Sequence, residues 1–261
     1  MRVIEIDVAN ENSLSSYAIG YFVTADPKIM DYSRRPVVVI APGGSYEKIS
    51  SKEGEPIALK FNAIGYHAIV LHYSVFPAKY PTALREMDSL FEWVGANANA
   101  YSIDKRKVYL CGFSAGGHLV ANYACDYQRL FLQPLKIKGL ILGYPVISTN
   151  DHVHKRSFEN LLQDDYELLR DCVSIEKNVT SNFPETFLFG TYDDQTVPVN
   201  NTLILAARLL DNQVPVETHI FKKGVHGLAL GTKVTRSSSR HLDVAFSVWF
   251  TLLENWLNAI G

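Results

Sequence analysis

Short apolar runs recur along the chain and are separated by longer segments with helical periodicity. The runs, at residues 37–41, 68–71, 108–111, 140–142 and 186–189, are followed by a further candidate strand at 217–221. Runs of a few apolar residues without alternation are typical of parallel strands that are covered on both faces. Two earlier segments, 3–8 and 17–24, predict a hairpin-like antiparallel pair at the start.

The segments between these runs predict helices. Candidate helices cover residues 50–63, 83–97, 119–127, 200–211 and 244–260. Ser50 and Glu53 are spaced as a capping box at the start of the first, and Leu84, Met87 and Leu90 begin an apolar stripe on the second. Strands that alternate with helices predict an α/β fold, with a mostly parallel central sheet and helices on both faces.

One long segment interrupts this alternation. Residues 149–184 separate two core strands, carry charge and predict one short helix, near 158–169. Connections of this length in compact domains are usually functional. We therefore expect residues 1–261 to form one domain, with 149–184 as a small cap or lid insertion.

Charge and cysteine content narrow the function classes. The 261 residues carry a net charge of -2 without a basic stripe, so a nucleic-acid partner is not expected. Three cysteines without metal-type spacing favour free thiols in a reducing compartment. Neither a signal-peptide pattern nor an apolar run long enough for a membrane span is visible. The expected protein is soluble and cytoplasmic and needs no metal or cofactor; a homo-oligomer is compatible with the sequence.

The strongest chemical motif is the Gly-Phe-Ser-Ala-Gly sequence at residues 112–116. It follows the apolar run 108–111 and precedes a predicted helix. This strand-turn-helix setting is what a nucleophile elbow requires, because the serine sits on a tight turn between close-packed backbones. Ser114 is therefore the candidate nucleophile.

A serine nucleophile needs a base that is held by a carboxylate, and in hydrolases with such an elbow the order is serine, acid, histidine. Asp193 and Asp194 follow the strand run 186–189, and His226 lies between a valine and a glycine after the last predicted strand. Only one of the two aspartates can face the histidine. We favour Asp194 by the resemblance given below, and Asp193 is the alternative.

An oxyanion hole needs backbone N–H donors. One candidate is Ala115, directly after the nucleophile; the others are Gly44 and Ser45, in the Pro-Gly-Gly-Ser-Tyr loop after the first central strand. Four aromatic residues near the predicted mouth are candidate substrate contacts, with core or loop packing as the alternative for each: Tyr46, Tyr73, Phe76 and Tyr144.

From about residue 36 to the end, the chain resembles the esterase/lipase branch of the α/β-hydrolases, and more narrowly the bacterial acetyl esterase and acetylxylan-esterase-like group. The stretches that carry the resemblance are 41–46 (APGGSY), 53–59 (EGEPIAL), 65–66 (GY), 112–119 (GFSAGGHL), 191–199 (TYDDQTVPV) and 226–227 (HG). In that group the matching positions are the nucleophile at Ser114, the acid at Asp194 and the base at His226. The chain departs from the usual pattern at Ser45, where a third glycine is more common.

The resemblance implies a serine carboxylesterase that hydrolyses short-chain, acetyl-type esters, with acetylated sugars as candidate substrates. An amide hydrolase with the same triad, such as a small peptidase or an arylformamidase, is the alternative, because fold and triad do not separate the two. A non-catalytic binding protein of the same fold is a third class.

Overall fold

Eight strands form a single mixed sheet in the part of the chain that the computed structural model describes, residues 1–24, 34–130, 135–150 and 152–261. The strands are β1 (Arg2–Asp7), β2 (Tyr17–Phe22), β3 (Arg35–Ala41), β4 (His67–His72), β5 (Ile103–Phe113), β6 (Ile137–Gly143), β7 (Thr186–Thr191) and β8 (Val216–Phe221). Their spatial order is β1-β2-β4-β3-β5-β6-β7-β8. β2 pairs antiparallel with both β1 and β4, and all other neighbours are parallel. The predicted, mostly parallel α/β sheet is confirmed.

Helices occupy the connections between strands. They are α1 (Glu55–Ala63), α2 (Thr82–Asn97), α3 (Ala115–Leu130), α4 (Lys155–Leu162), α5 (Tyr166–Val173), α6 (Ile175–Asn178), α7 (Asn200–Asp211), α8 (Val244–Ser247) and α9 (Trp249–Ile260). Single 3-10 turns lie at Ser51–Glu53, Gln163–Asp165 and Ser239–His241. None of the described helices is long and apolar enough to cross a membrane.

Two apolar cores lie on opposite faces of the sheet, because successive residues of a strand point to opposite sides. Val37 and Val39 of β3 belong to the core that α2, α3 and α7 cover, whereas Val38 and Ile40 belong to the core under α1 and α9. The central strands are therefore apolar where both cores cover them, at residues 37–41 of β3 and 108–111 of β5. This arrangement places the carboxyl ends of β3 and β5 side by side in the middle of the sheet.

Three predicted helices differ from the structure in the same way: each is divided. Residues 50–63 form a 3-10 turn and then α1, with Gly54 between them. The helix predicted over 158–169 is replaced by α4 and α5, which are separated at Gln163, where φ is +50°. α8 and α9 are likewise separated at Val248. The capping-box prediction is wrong, because the Ser50 side chain caps nothing.

The insertion between β6 and β7 carries α4, α5 and α6. Phe158 and Leu162 of α4 and Val173 of α5 are fully buried in the core that also contains α2 and α3. The backbone N–H of Tyr80 donates to the carbonyl oxygen of Leu161 at 2.9 Å. The insertion thus packs on the molecule through an apolar face and through backbone hydrogen bonds.

Candidate active site

Ser114 sits on the turn between β5 and α3 with a φ of +52°, a left-handed conformation that non-glycine residues rarely adopt. The turn is possible because the residues two positions before and two positions after Ser114 are glycines. A Cβ on Gly112 would lie 2.4 Å from the carbonyl oxygen of Gly116, and a Cβ on Gly116 would lie 2.0 Å from that of Ala41. Both distances are far below van der Waals contact. The Gly-x-Ser-x-Gly spacing is therefore a steric requirement of this turn.

The structure brings Ser114, His226 and Asp194 together. Nε2 of His226 lies 2.8 Å from Oγ of Ser114, and Nδ1 lies 2.6 Å from Oδ2 of Asp194. Because the ionised carboxylate can only accept, the Nδ1 position carries the proton and Nε2 is left to accept the serine proton. Oδ1 of Asp194 accepts the backbone N–H groups of Thr196 and Val197, at 2.8 and 3.0 Å. These bonds fix the carboxylate, whose side chain is 1% exposed.

The alternative acid, Asp193, faces elsewhere. Its Oδ1 accepts the backbone N–H of Gly224 at 2.7 Å, in an exposed bond between the acid loop and the segment before the base. Of the two adjacent aspartates, the structure thus places Asp194 on His226 and Asp193 on the loop backbone.

The loop after β3 presents free backbone donors next to the nucleophile. Gly44, Ser45 and Tyr46 have φ values of +133°, +60° and +54°, so the loop turns tightly over Ser114. No acceptor in the described part of the chain pairs with the N–H groups of Gly44 or Ser45. Ala115 is the first residue of α3, where the N–H has no partner within the helix. All three predicted oxyanion donors are therefore available.

A buried carboxylate lies behind this loop. Its residue, Glu53, was predicted as part of a capping box. Glu53 is 2% exposed. Its Oε2 accepts the backbone N–H of Gly43 at 2.8 Å, and its Oε1 accepts the hydroxyl of Tyr144, also at 2.8 Å. The Tyr144 hydroxyl in turn accepts the N–H of Ala229 at 3.0 Å, and its ring meets the His226 ring edge to face at 5.0 Å. Glu53 therefore ties the oxyanion loop to the segment that carries the base.

The four candidate substrate aromatics divide into two groups. Tyr46, Tyr73 and Tyr144 are almost fully buried, and their hydroxyls bind His118, the Pro42 carbonyl and Glu53 respectively. These three side chains support the oxyanion loop and the base from behind and do not present free hydroxyls. Phe76 is 50% exposed, so a substrate contact for its ring stays a prediction.

His118 links the elbow helix to the loop and to the insertion. Its Nε2 lies 2.8 Å from the carbonyl oxygen of Val173, which can only accept, so Nε2 carries the proton. Its Nδ1 then accepts the hydroxyl proton of Tyr46 at 2.7 Å. Complete burial lowers the pKa of His118 from 6.5 to about 4, because a charged imidazolium would lose its hydration. The ring is therefore neutral and structural at neutral pH.

Helix α4 of the insertion also reaches the site. Nδ2 of Asn160 donates to the carbonyl oxygen of Ser45 at 2.8 Å, and Arg156 forms an ion pair with Glu47. Burial is the main cause that lowers the pKa of His154, and the proximity of His226 adds to it. The insertion thus forms one wall of the site and holds an oxyanion-loop residue in place.

Comparisons with known proteins show which proteins the chain is similar to. The BD-FAE family model matches residues 27–137. The chain is 33% identical to endo-1,4-beta-xylanase B of Butyrivibrio fibrisolvens, over 77% of this chain and 33% of that protein. It is 28% identical to the acetylxylan esterase of Xylanibacter ruminicola, over 85% of this chain and 45% of that protein. The chain thus spans less than half the length of these curated relatives.

Solved structures match over the whole length of the chain. The carboxylesterase Cest-2923 from Lactobacillus plantarum superposes with a TM-score of 0.90 at 27% identity, covering 99% of this chain and 98% of that one. An α/β-hydrolase enzyme from a Medee basin deep-sea metagenome library superposes with a TM-score of 0.83 at 30% identity, covering 100% and 98%.

Proposed function

We propose that this chain, which belongs to the α/β-hydrolase family, is a carboxylic ester hydrolase that works through Ser114, His226 and Asp194. The observation that carries the proposal is the hydrogen-bonded series from Ser114 Oγ to His226 Nε2 and from His226 Nδ1 to Asp194. Such a series activates a serine hydroxyl toward acyl carbon, since the base can take the proton as the oxygen attacks.

The reaction would proceed in two displacements. Ser114 Oγ attacks the ester carbonyl while His226 Nε2 takes its proton, and Asp194 stabilises the imidazolium. The oxyanion accepts N–H bonds from Gly44 or Ser45 and from Ala115. Collapse breaks the ester C–O bond, and the imidazolium proton passes to the leaving alcohol. Water then loses a proton to His226, attacks the acyl-serine and releases the carboxylic acid with the serine restored.

A short acyl group fits the enclosed setting of the nucleophile. Ser114 is 4% exposed, and the Asn160–Ser45 bond closes the loop side of the site. We propose acetyl-type esters as the substrates, with acetylated sugars as the natural class. The latter rests on relatives that are named as an acetylxylan esterase and, among solved structures, as an acetyl ester-xyloside bifunctional hydrolase.

The test is hydrolysis of p-nitrophenyl esters from acetate to octanoate by the wild type and by Ser114→Ala. We expect turnover to fall with acyl length and to drop by at least about a thousandfold in the variant, with the fold unchanged by circular dichroism. Ser89→Ala is the matched control, because this half-buried α2 hydroxyl donates to the carbonyl oxygen of Arg85 in its own helix. Near-normal turnover by Ser114→Ala would refute the mechanism. If a fluorophosphonate labels Ser114 but no ester is hydrolysed, the amide-hydrolase alternative would be favoured.

A further inference from the structure

Four cations line two neighbouring cavities at the opening beside His226, which itself lines the cavity of Arg240. Lys48, Arg236 and Arg240 are exposed, and Lys52 is half-buried. Within the described ranges, none of the four forms an ion pair with an acidic side chain. The whole chain has a net charge of -2. The positive charge is therefore a local property of this opening.

Two cavities hold the cations. The first, of about 340 Å³, is lined by His226 together with Arg240, His241 and one carboxylate, that of Asp193. The Asp193 carboxylate accepts the backbone N–H of Gly224 and, within the described residues, forms no ion pair with Arg240.

The second cavity, of about 590 Å³, is lined by Lys48, Lys52 and Arg236 and by no carboxylate. The nearby Glu47 carboxylate is paired with Arg156 and does not neutralise them.

Lys52 connects the second cavity to the base. Its Nζ lies 3.5 Å from the point where a Cβ on Gly227 would stand, directly after His226 in the chain, and Oε1 of Glu53 lies 3.7 Å from the same point. Burial lowers the pKa of Lys52 and the Glu53 carboxylate raises it, so Glu53 offsets part of this positive charge. The pKa of His241 is lowered mainly by burial, and the positive charges of Lys52 and then of Arg240 add to this effect. Cations from both cavities thus act at the same place, beside the catalytic base.

This place is where the alcohol part of an ester would lie. His226 Nε2 must deliver a proton to the leaving oxygen, so the leaving group is held against His226, whose side chain also lines the cavity of Arg240. We propose, on the basis of the esterase function proposed above, that this alcohol-side subsite selects saccharide esters that carry a carboxylate. The substrate class is acetylated sugar acids, with the acetyl group at Ser114 and the acid group among the cations.

Charge and geometry favour a carboxylate over a neutral sugar. The planar guanidinium of Arg240 can bind both carboxylate oxygens, and a partly desolvated ammonium such as that of Lys52 gains more from an anion than an exposed one does. Unpaired cations at a cleft also attract anions before contact, which raises the association rate at low salt. A neutral sugar can accept hydrogen bonds from these cations, but it gains no charge–charge attraction.

The test uses matched aryl acetates that differ in charge on the alcohol part: para-carboxyphenyl acetate, its methyl ester as the neutral counterpart, and para-sulfophenyl acetate. Each kcat/KM is divided by the hydroxide-catalysed rate of the same ester, which corrects for leaving-group reactivity. We expect the wild type to favour the carboxylate ester over the neutral one by about fivefold or more at low salt. The preference should shrink in about 0.5 M KCl because the charges are screened.

Arg240→Gln and Lys52→Gln should each lower the carboxylate-to-neutral ratio by about threefold to tenfold. Lys138→Gln is the control, since this exposed cation lies at the opposite end of β6, and the ratio should not change. A wild-type ratio of one or less, or a ratio unaffected by Arg240→Gln, overturns the subsite. If para-sulfophenyl acetate is preferred over the neutral ester as strongly as the carboxylate is, the assignment of the subsite to carboxylates is overturned. If the neutral ester is not hydrolysed either, the failure lies with the esterase proposal.

The same comparison with acetylated methyl glucuronoside and acetylated methyl glucoside extends the test to sugars. We expect faster acetate release from the glucuronoside in the wild type and a reduced difference in Arg240→Gln. Faster release from the glucoside would overturn the substrate class.

Discussion

Replacing Asp194 with asparagine tests the catalytic geometry with the smallest change of shape. Oδ1 of Asp194 accepts two backbone N–H groups, from Thr196 and Val197, so the asparagine oxygen must occupy that position. The new amide NH2 then faces Nδ1 of His226 across 2.6 Å. Two donors cannot face each other at this distance, so Nδ1 must lose its proton and Nε2 must carry one. The imidazole can then no longer accept the proton of Ser114.

The expected loss follows from the burial of this pair. The Asp194 side chain is 1% exposed, so water cannot replace the missing acceptor. In serine protease triads, the same change leaves the geometry intact and lowers kcat by about 10⁴, which is about 5 kcal/mol of transition-state stabilisation. We expect a loss of this order in kcat for p-nitrophenyl acetate. The urea midpoint should stay within the range of a surface substitution, because both backbone bonds survive.

Asp193→Asn is the matched control for this experiment. Asp193 is exposed, and an asparagine oxygen can still accept the N–H of Gly224. Its kcat should therefore stay within about twofold of the wild type. A loss of less than tenfold in Asp194→Asn, or a larger loss in Asp193→Asn, would refute the assignment of the acid.

Three further predictions concern stability. Folded His118 has a pKa of about 4 against an ordinary 6.5, so the unfolded chain binds the extra proton below pH 6.5. As the pH is lowered from 6.5 to 4, the free energy of unfolding should fall by about 1.4 kcal/mol per pH unit. Urea titrations at several pH values should show that this free energy depends less steeply on pH in His118→Gln. Gly116→Ala should have a free energy of unfolding several kcal/mol lower than the wild type. Gly95→Ala should be about 0.5 to 1 kcal/mol more stable, since among the described residues only Leu135, at 3.8 Å, lies near the new helical Cβ. Equal urea midpoints for the two variants would contradict the steric argument. Tyr144→Phe should lower the free energy of unfolding by about 1 to 3 kcal/mol, because Glu53 and the Ala229 N–H lose a buried partner. An unchanged urea midpoint would count against this hydrogen-bond network.

The sheet and the elbow were predictable because their causes are local. A strand covered on both faces must be apolar at every position, and residues 37–41 and 108–111 show this directly. A serine turn squeezed between backbones must have glycines two residues away on either side, and residues 112–116 show that too. The order of strands along the chain predicted the loops that carry the candidate acid and base, whereas the choice of Asp194 over Asp193 came from the family resemblance.

The support behind the site was not predictable, because it depends on contacts between distant segments. Glu53 has the spacing of a helix cap, but its carboxylate is used by Gly43 and by Tyr144, which lies 91 residues away. The tyrosines were candidates for substrate contact because aromatic residues at a mouth often are, yet burial and occupied hydroxyls give them a supporting role. The prediction of one helix over 158–169 was wrong because helical periodicity does not reveal the positive φ at Gln163.

These distant contacts also bear on whether the insertion at 149–184 opens as a lid. His118 is completely buried, and in the described part of the chain its Nε2 proton has one acceptor, the Val173 carbonyl at the end of α5. Lifting the insertion would leave that N–H without a partner or admit water beside the elbow helix, and it would expose the buried Phe158. It would also release the Ser45 carbonyl from Asn160, and so loosen an oxyanion donor when the substrate enters. We therefore expect the insertion to act as a fixed wall, with the alcohol side beside His226 as the route by which substrates reach the serine.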